Sequence, residues 1–215
     1  MNSKINLSKL NKAIEKLFLK HRKKLLFHGW HHIVFVKKKA LEFGKSIKAN
    51  AFLVESSTLV HDLNYILRPN SEPKQARKYR EEILTKAGYP KEEIKRIESI
   101  VMESHTRTRK KKISNEGKAL SDADMLFKAL PITPVVFANN YITQNKVDLR
   151  ELAEKITSEQ NRLMKENIYF YTNLARKKYL GWAKDNLRLW NNITTALKDR
   201  DISKTLLMAK KLKVL

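Results

Sequence analysis

The sequence predicts an all-α protein, one domain of packed helices with a long C-terminal helix laid over the bundle. Three observations carry that prediction. Only 5 Gly and 5 Pro interrupt 215 residues, apolar residues recur at intervals of three and four rather than two, and a hydrophobic content of 42% suffices for one buried core. The periodic segments place helices at about residues 6–26, 29–48, 50–67, 73–87, 91–105, 117–130, 134–145, 148–160 and 162–198, with a short one after Asp201.

The first segment, opening "MNSKINLSKLNKAIEKLFLK", alternates apolar residues with Lys and Asn, which is helical and unlike the apolar core of a signal peptide. In the second, Ile33, Val36, Ala40, Phe43 and Ile47 form one stripe, and a step of about 100° per residue puts His32 on its edge and His31 well away. His28, four residues before His32, shares that side. The third carries Phe52, Ser56, Leu59, Val60 and Leu63, flanked near its C-terminal end by the adjacent pair His61 and Asp62.

"RPNSEP" (68–73) reads as a loop, and the fourth helix stops at Gly88. The fifth starts at "YPKEE", with Pro90 early and Glu92 and Glu93 facing the positive end of the helix dipole. Its last residue, His105, stands in line with Ile94, Ile97 and Val101 and so faces inward. "TRKKKISNEG" (108–117) has no apolar face and is a loop. In "ALSDADMLFKAL", Leu120, Ala123 and Phe127 define the buried face, Asp124 shares it, and Asp122 points nearly opposite. The long last helix carries Trp182, Leu187, Trp190 and Ile193, expected to pack on the bundle.

Composition limits the chemistry. There is no cysteine, which excludes disulfides and thiolate metal sites and points to a reducing cytoplasm. No segment has the length and apolarity of a membrane span. Lys and Arg number 45 against 22 Asp and Glu, a net charge of +23 that attracts polyanions such as nucleic acid or phosphorylated small molecules. The basic residues are spread along the chain, with runs at Lys37 to Lys39 and Arg107 to Lys112, and aromatics do not interleave with them as in a stacking platform.

His32, His61, His105 and Asp124 thus face inward from separate helices, with Asp62 beside them. Burying ionisable groups is costly unless they are paired or ligate a metal. Imidazoles with carboxylates suit one divalent ion, Mn²⁺, Fe²⁺, Co²⁺, Ni²⁺ or Zn²⁺, with Mg²⁺ the hard-ion alternative.

The order His, then His-Asp, then a downstream Asp resembles that of the HD-domain metal-dependent phosphohydrolases, all-helical proteins named for such a doublet. "HGWHHIVFV", "AGYPKEEIKRIESIVMESH" and "EGKALSDADML" resemble blocks of the small bacterial and archaeal members, and the likeness runs over about residues 21–140. An HD core there would be followed by a helical extension over about 146–215. The resemblance implies metal ligands His32, His61, Asp62 and Asp124. It implies hydrolysis of a phosphomonoester or phosphodiester, with a nucleotide the expected substrate, by attack of metal-bound water that Asp62 also orients. His105 becomes a phosphate contact or proton donor. Arg68, Lys74, Arg107 and Arg109, at helix ends or in loops, are candidate phosphate contacts, and His28 and Asp122 candidate supports behind the ligands.

Three features depart from the pattern of that family. Asn64 and Tyr65 stand where relatives carry an acidic helper, no histidine follows in "RPNSEPKQARKYREE", which favours one metal, and Phe127 replaces a frequent acid. A basic nucleic-acid-binding or nucleotide-sensing module with a weak site is the competing expectation, and a hydrolase of nucleic-acid ends or signalling nucleotides would combine the two. Monomer and homodimer are both compatible with the sequence.

Overall fold

The computed structural model describes residues 3–214, with side chains from Asn6 onward. The described residues form helices and turns with no strand. In order these are α1 (Ser3–Lys20), α2 (Trp30–Ser46), α3 (Ala51–Val60), α4 (Asn64–Leu67), α5 (Arg77–Lys86) and α6 (Lys91–Ser104). There follow α7 (Asn115–Ala129), α8 (Thr133–Val136), α9 (Ala138–Asn145), α10 (Leu149–Lys165), α11 (Asn173–Ala196) and α12 (Arg200–Lys211). Short 3-10 turns occupy Pro73–Ala76 and Thr106–Thr108. Among the described residues no helix is long and apolar enough to cross a membrane.

α7 is the axis of the molecule. It packs on α2, α3, α6 and α11, and its Ala119, Leu120, Ala123, Met125 and Leu126 are fully buried. The small residues on this helix permit close approach: a Cβ on Gly44 of α2 would sit 3.5 Å from the Ala119 Cβ, in ordinary contact. The main core joins the inner faces of α1, α2, α3, α6 and α7. A second apolar cluster, built from Phe27, Phe127, Tyr141, Leu152, Trp190 and Leu197, sits where α9, α10 and α11 meet the bundle. α12 contributes no buried residue; its Leu206 packs partly against this second cluster.

Several expected helices are broken, the one at 134–145 being split at Phe137 into α8 and α9, and three of the breaks have a clear local reason. The segment expected at 50–67 stops at Val60, because the amides of Leu63, Tyr65 and Ile66 bond carbonyls three residues back and tighten the chain into a turn through the His-Asp pair. The long helix expected at 162–198 is two helices: Asn167 adopts a left-handed conformation (φ 57°) after α10, and Thr172 caps α11 by accepting from the Ala175 amide. The segment expected at 6–26 ends at Lys20 and continues as turns. On α11, Trp190 and Leu187 are buried as expected, whereas Trp182 is 42% exposed.

A buried ion pair fixes the wall formed by α5, α6 and the turn at 73–76. Arg80 Nε and Nη2 donate to Glu98 Oε1 and Oε2 at 2.6 and 2.7 Å, and Nη1 donates to the Pro73 carbonyl at 2.8 Å. Removing one partner strands the other's charge in the core. Glu98→Ala is expected to lower stability by about 3–5 kcal/mol in urea unfolding; a loss below ~1 kcal/mol would show that solvent reaches Arg80.

Candidate metal centre

Three ligand atoms converge in the bundle. His32 comes from the buried face of α2, and His61 and Asp62 from the turn that ends α3. His32 Nε2 lies 3.4 Å from His61 Nε2 and 3.1 Å from Asp62 Oδ2, and His61 Nε2 lies 3.3 Å from the same oxygen. All three residues are buried.

The fit to a cation can be tested on these atoms. Donors bound to a divalent metal at about 2.1 Å stand roughly 3.0–3.4 Å from one another, the spacing seen. His61 Nδ1 is 2.7 Å from the Thr58 carbonyl; a carbonyl only accepts, so the proton is on Nδ1 and the Nε2 lone pair is directed at the site. Asp62 Oδ2 is buried and, despite its short distances to both imidazoles, receives no aligned hydrogen bond. A buried carboxylate oxygen left this way is costly in a purely structural role. Phe127 packs edge-on against His32, with ring centroids 4.6 Å apart and planes at 83°, and so forms an aromatic wall beside this histidine.

Asp124 stands at the edge of this triad. Its Oδ1 is 3.6 Å from His32 Nε2, while Oδ2 accepts from Lys128 Nζ at 2.7 Å. The expected four-residue set is therefore three tightly gathered residues and a fourth shared with a lysine. Lys128 sits four residues after Asp124 on α7, so the spacing that turns Asp124 inward also turns the lysine inward; it was legible as a site residue and is absent from the sequence-based set.

Electrostatics follow from burial and proximity. Burial disfavours the Asp62 carboxylate, yet the surrounding imidazoles His61, His28 and His32 outweigh it and hold the group well below the usual carboxylate range. For Asp124, burial is likewise overcome, chiefly by Lys128 and His32, bringing it to about 2. For His61, burial lowers the pKa, but Asp62 more than compensates and the net shift is upward from 6.5. Burial also opposes the Lys128 charge, which Asp124 restores, leaving it raised. His105 is lowered by burial and by Lys128, which disfavours its charged imidazolium form.

His61, Asp62 and Asp124 form the floor of a cavity of about 430 Å³, while His32 is fully buried and does not line it. His28, His105 and Lys128 share the floor, Arg68, Lys74, Arg107 and Lys155 stand around its mouth, and Tyr141, Leu152, Ile156 and Trp190 form an apolar wall. The expected phosphate contacts separate accordingly. Arg68 and Lys74 are exposed on the loop and turn after α4, with Lys74 3.0 Å from Glu72, and Arg107 pairs at 3.4 Å with both Glu72 and Glu159.

Arg109 is a correction. It is 3% exposed, and its Nη2 donates to the Ser104 carbonyl at 2.9 Å, which ties the chain after α6 into the core and turns the guanidinium away from the cavity. Asp122 is another. Its two oxygens accept from the Tyr171 and Thr172 amides at 2.7 and 2.8 Å, so it anchors the start of α11 instead of supporting the ligands. Asn64 holds the neighbouring loop by donating to the Ser71 carbonyl at 2.9 Å. Gln144 and Lys155, from α9 and α10, had no sequence signal linking them to residues more than a hundred and roughly ninety positions away.

No protein-family model matches the chain. It is 34% identical over 103 residues to YpgQ of Bacillus subtilis, a match covering 46% of this chain and 50% of YpgQ, so it spans half the length of that relative. Over most of the chain the fold is similar to solved structures: crystalline B. subtilis YpgQ (TM-score 0.59, 20% identity, 92% of this chain and 98% of that one) and YpgQ in complex with ADP (0.58, 21%, 91% and 99%). A Lactobacillus plantarum protein is similar too (0.62, 16% identity, 90% and 95%). At these identities the likeness establishes the helical fold.

Metal binding requires His61 as the neutral imidazole, and its pKa is raised, so protons compete for Nε2 as pH falls through a value above 6.5. Mn²⁺ affinity measured by calorimetry is expected to be full well above that value and to drop steadily below it. An affinity flat from pH 8 to 5 would exclude His61 as a ligand.

Proposed function

We propose that this protein is an HD-type metal-dependent phosphohydrolase acting on a phosphomonoester or phosphodiester of a nucleotide. The observation that carries the reading is the triad His32, His61 and Asp62, whose atoms gather at metal-ligand spacing, with His61 and Asp62 lining a cavity that also holds Arg68, Lys74, Arg107, Lys128 and Lys155. The order of ligands along the chain and the likeness to HD-domain blocks support it, as does a fold similar to that of YpgQ, which was crystallised with ADP.

His32, His61 and Asp62 would hold the cation, with Asp124 free to join if Lys128 releases it. A divalent ion held by these residues would supply Lewis-acid polarisation to a phosphoryl oxygen and to water. Asp62, with one oxygen in the triad, can use the other to orient the attacking water. Lys128 places a fixed positive charge beside the reacting phosphate, where low dielectric strengthens its effect, and Arg107, Arg68 and Lys74 draw the remaining phosphate charge to the mouth. The apolar wall of Tyr141, Leu152, Ile156 and Trp190 offers a flat organic group, such as a base, a surface to leave water against.

Chelator-treated protein refilled with Mn²⁺, Co²⁺, Ni²⁺ or Mg²⁺ is expected to release phosphate or pyrophosphate from some of a panel of mononucleotides, dinucleotides and oligonucleotides. Asp62→Asn keeps the shape but weakens a ligand, and should lower turnover by ~100-fold or more. Turnover unchanged in Asp62→Asn would refute the assignment.

A further inference from the structure

The hydrogen bonds around the cavity sort its histidines into two kinds. Gln144 Oε1 accepts from the Phe27 and His28 backbone amides at 2.8 and 3.0 Å. Two N–H donors cannot face an amide NH₂, so the orientation of this side chain is fixed. Gln144 Nε2 then donates to His28 Nδ1 at 2.6 Å. His28 Nδ1 must hold a lone pair there, so the proton is on Nε2. The ring is clamped in this state, stacked on Tyr65 with centroids 3.5 Å apart and planes at 11°, and it is 3% exposed.

His28 Nε2–H has no hydrogen-bond partner among the described residues, while His28 lines the cavity within 5.8 Å of the His32 ring, centroid to centroid. It is the reverse of His61, whose bond to Thr58 leaves Nε2 as an acceptor. One histidine is set to receive a cation and the other to donate to an anion beside it.

We infer that His28 is a substrate-binding residue, whose neutral Nε2–H donates to an oxygen of the phosphoryl group held at the metal triad. The inference rests on the phosphohydrolase reading and adds a contact to it. A neutral donor suits this place: next to the ligand cluster it binds an oxyanion without setting another positive charge against the metal, and Gln144 holds it ready before substrate arrives. A hydrogen bond to a charged acceptor in a buried site is among the stronger kinds.

The test compares wild type with His28→Phe, which keeps the aromatic stack and removes the donor, and His28→Gln, which returns an N–H. Binding of Mn²⁺, and of inorganic phosphate to the Mn²⁺-loaded protein, is measured by calorimetry. The tautomer of His28 is read by nitrogen-15 NMR on metal-free protein. Expected are an Nε2–H tautomer, unchanged Mn²⁺ affinity in both variants, phosphate binding weakened roughly tenfold or more in His28→Phe, and recovery to within roughly threefold in His28→Gln. Phosphate binding equal to wild type in His28→Phe, an Nδ1–H tautomer, or loss of Mn²⁺ together with phosphate would each overturn the role of His28 while leaving the phosphohydrolase reading standing. Absence of phosphate binding in the Mn²⁺-loaded wild type would instead remove the reading itself, and this contact with it.

Discussion

The structure depends on keeping two imidazoles and a carboxylate within 3.4 Å of one another inside an apolar bundle. Left alone, such a cluster opposes folding, since the Asp62 charge is desolvated and its Oδ2 lacks an aligned donor. The surrounding helices make it tolerable by fixing each ring. Thr58 holds His61, Phe127 backs His32, and Gln144 with Tyr65 clamps His28. A bound cation would satisfy these three inward atoms together, so metal binding and fold stability would be coupled by the same atoms.

The break in the chain after α3 serves the same end. A continuous helix through residues 61–63 would carry His61 and Asp62 on adjoining faces about 100° apart. The chain instead turns there through bonds three residues back, and from that turn His61 Nε2 and Asp62 Oδ2 both reach His32 Nε2, at 3.4 and 3.1 Å. The loop that follows is then pinned by Asn64, and the wall beyond it by the Arg80–Glu98 pair. Its two sides differ in kind, with basic groups around the mouth and apolar side chains from α9, α10 and α11 on the wall. That division matches an amphiphilic ligand, charged at one end and flat and apolar at the other.

Helical periodicity made much of this visible in advance. The stripe on α2 separated buried His32 from exposed His31, because a step of 100° per residue leaves little ambiguity on a helix with one buried face, whereas α7 is packed on several sides and buries Asp122 as well as placing Asp124 at the site. Periodicity failed where a local bond overrides the period, at the turn through the His-Asp doublet and at Asn167, whose left-handed backbone splits the long C-terminal helix. It also failed for Arg109, since charge in a loop normally means solvent and here the guanidinium instead satisfies buried carbonyls. Gln144 could not have been found at all: its partner lies 116 residues away, and only the packed structure brings α9 against the chain before α2.

The most direct measurement is anomalous diffraction from a crystal of this protein soaked with Mn²⁺. One strong peak is predicted within coordination distance of His32 Nε2, His61 Nε2 and Asp62 Oδ2. A peak elsewhere, or none at full soaking concentration and neutral or higher pH, would contradict a metal centre built on these three residues.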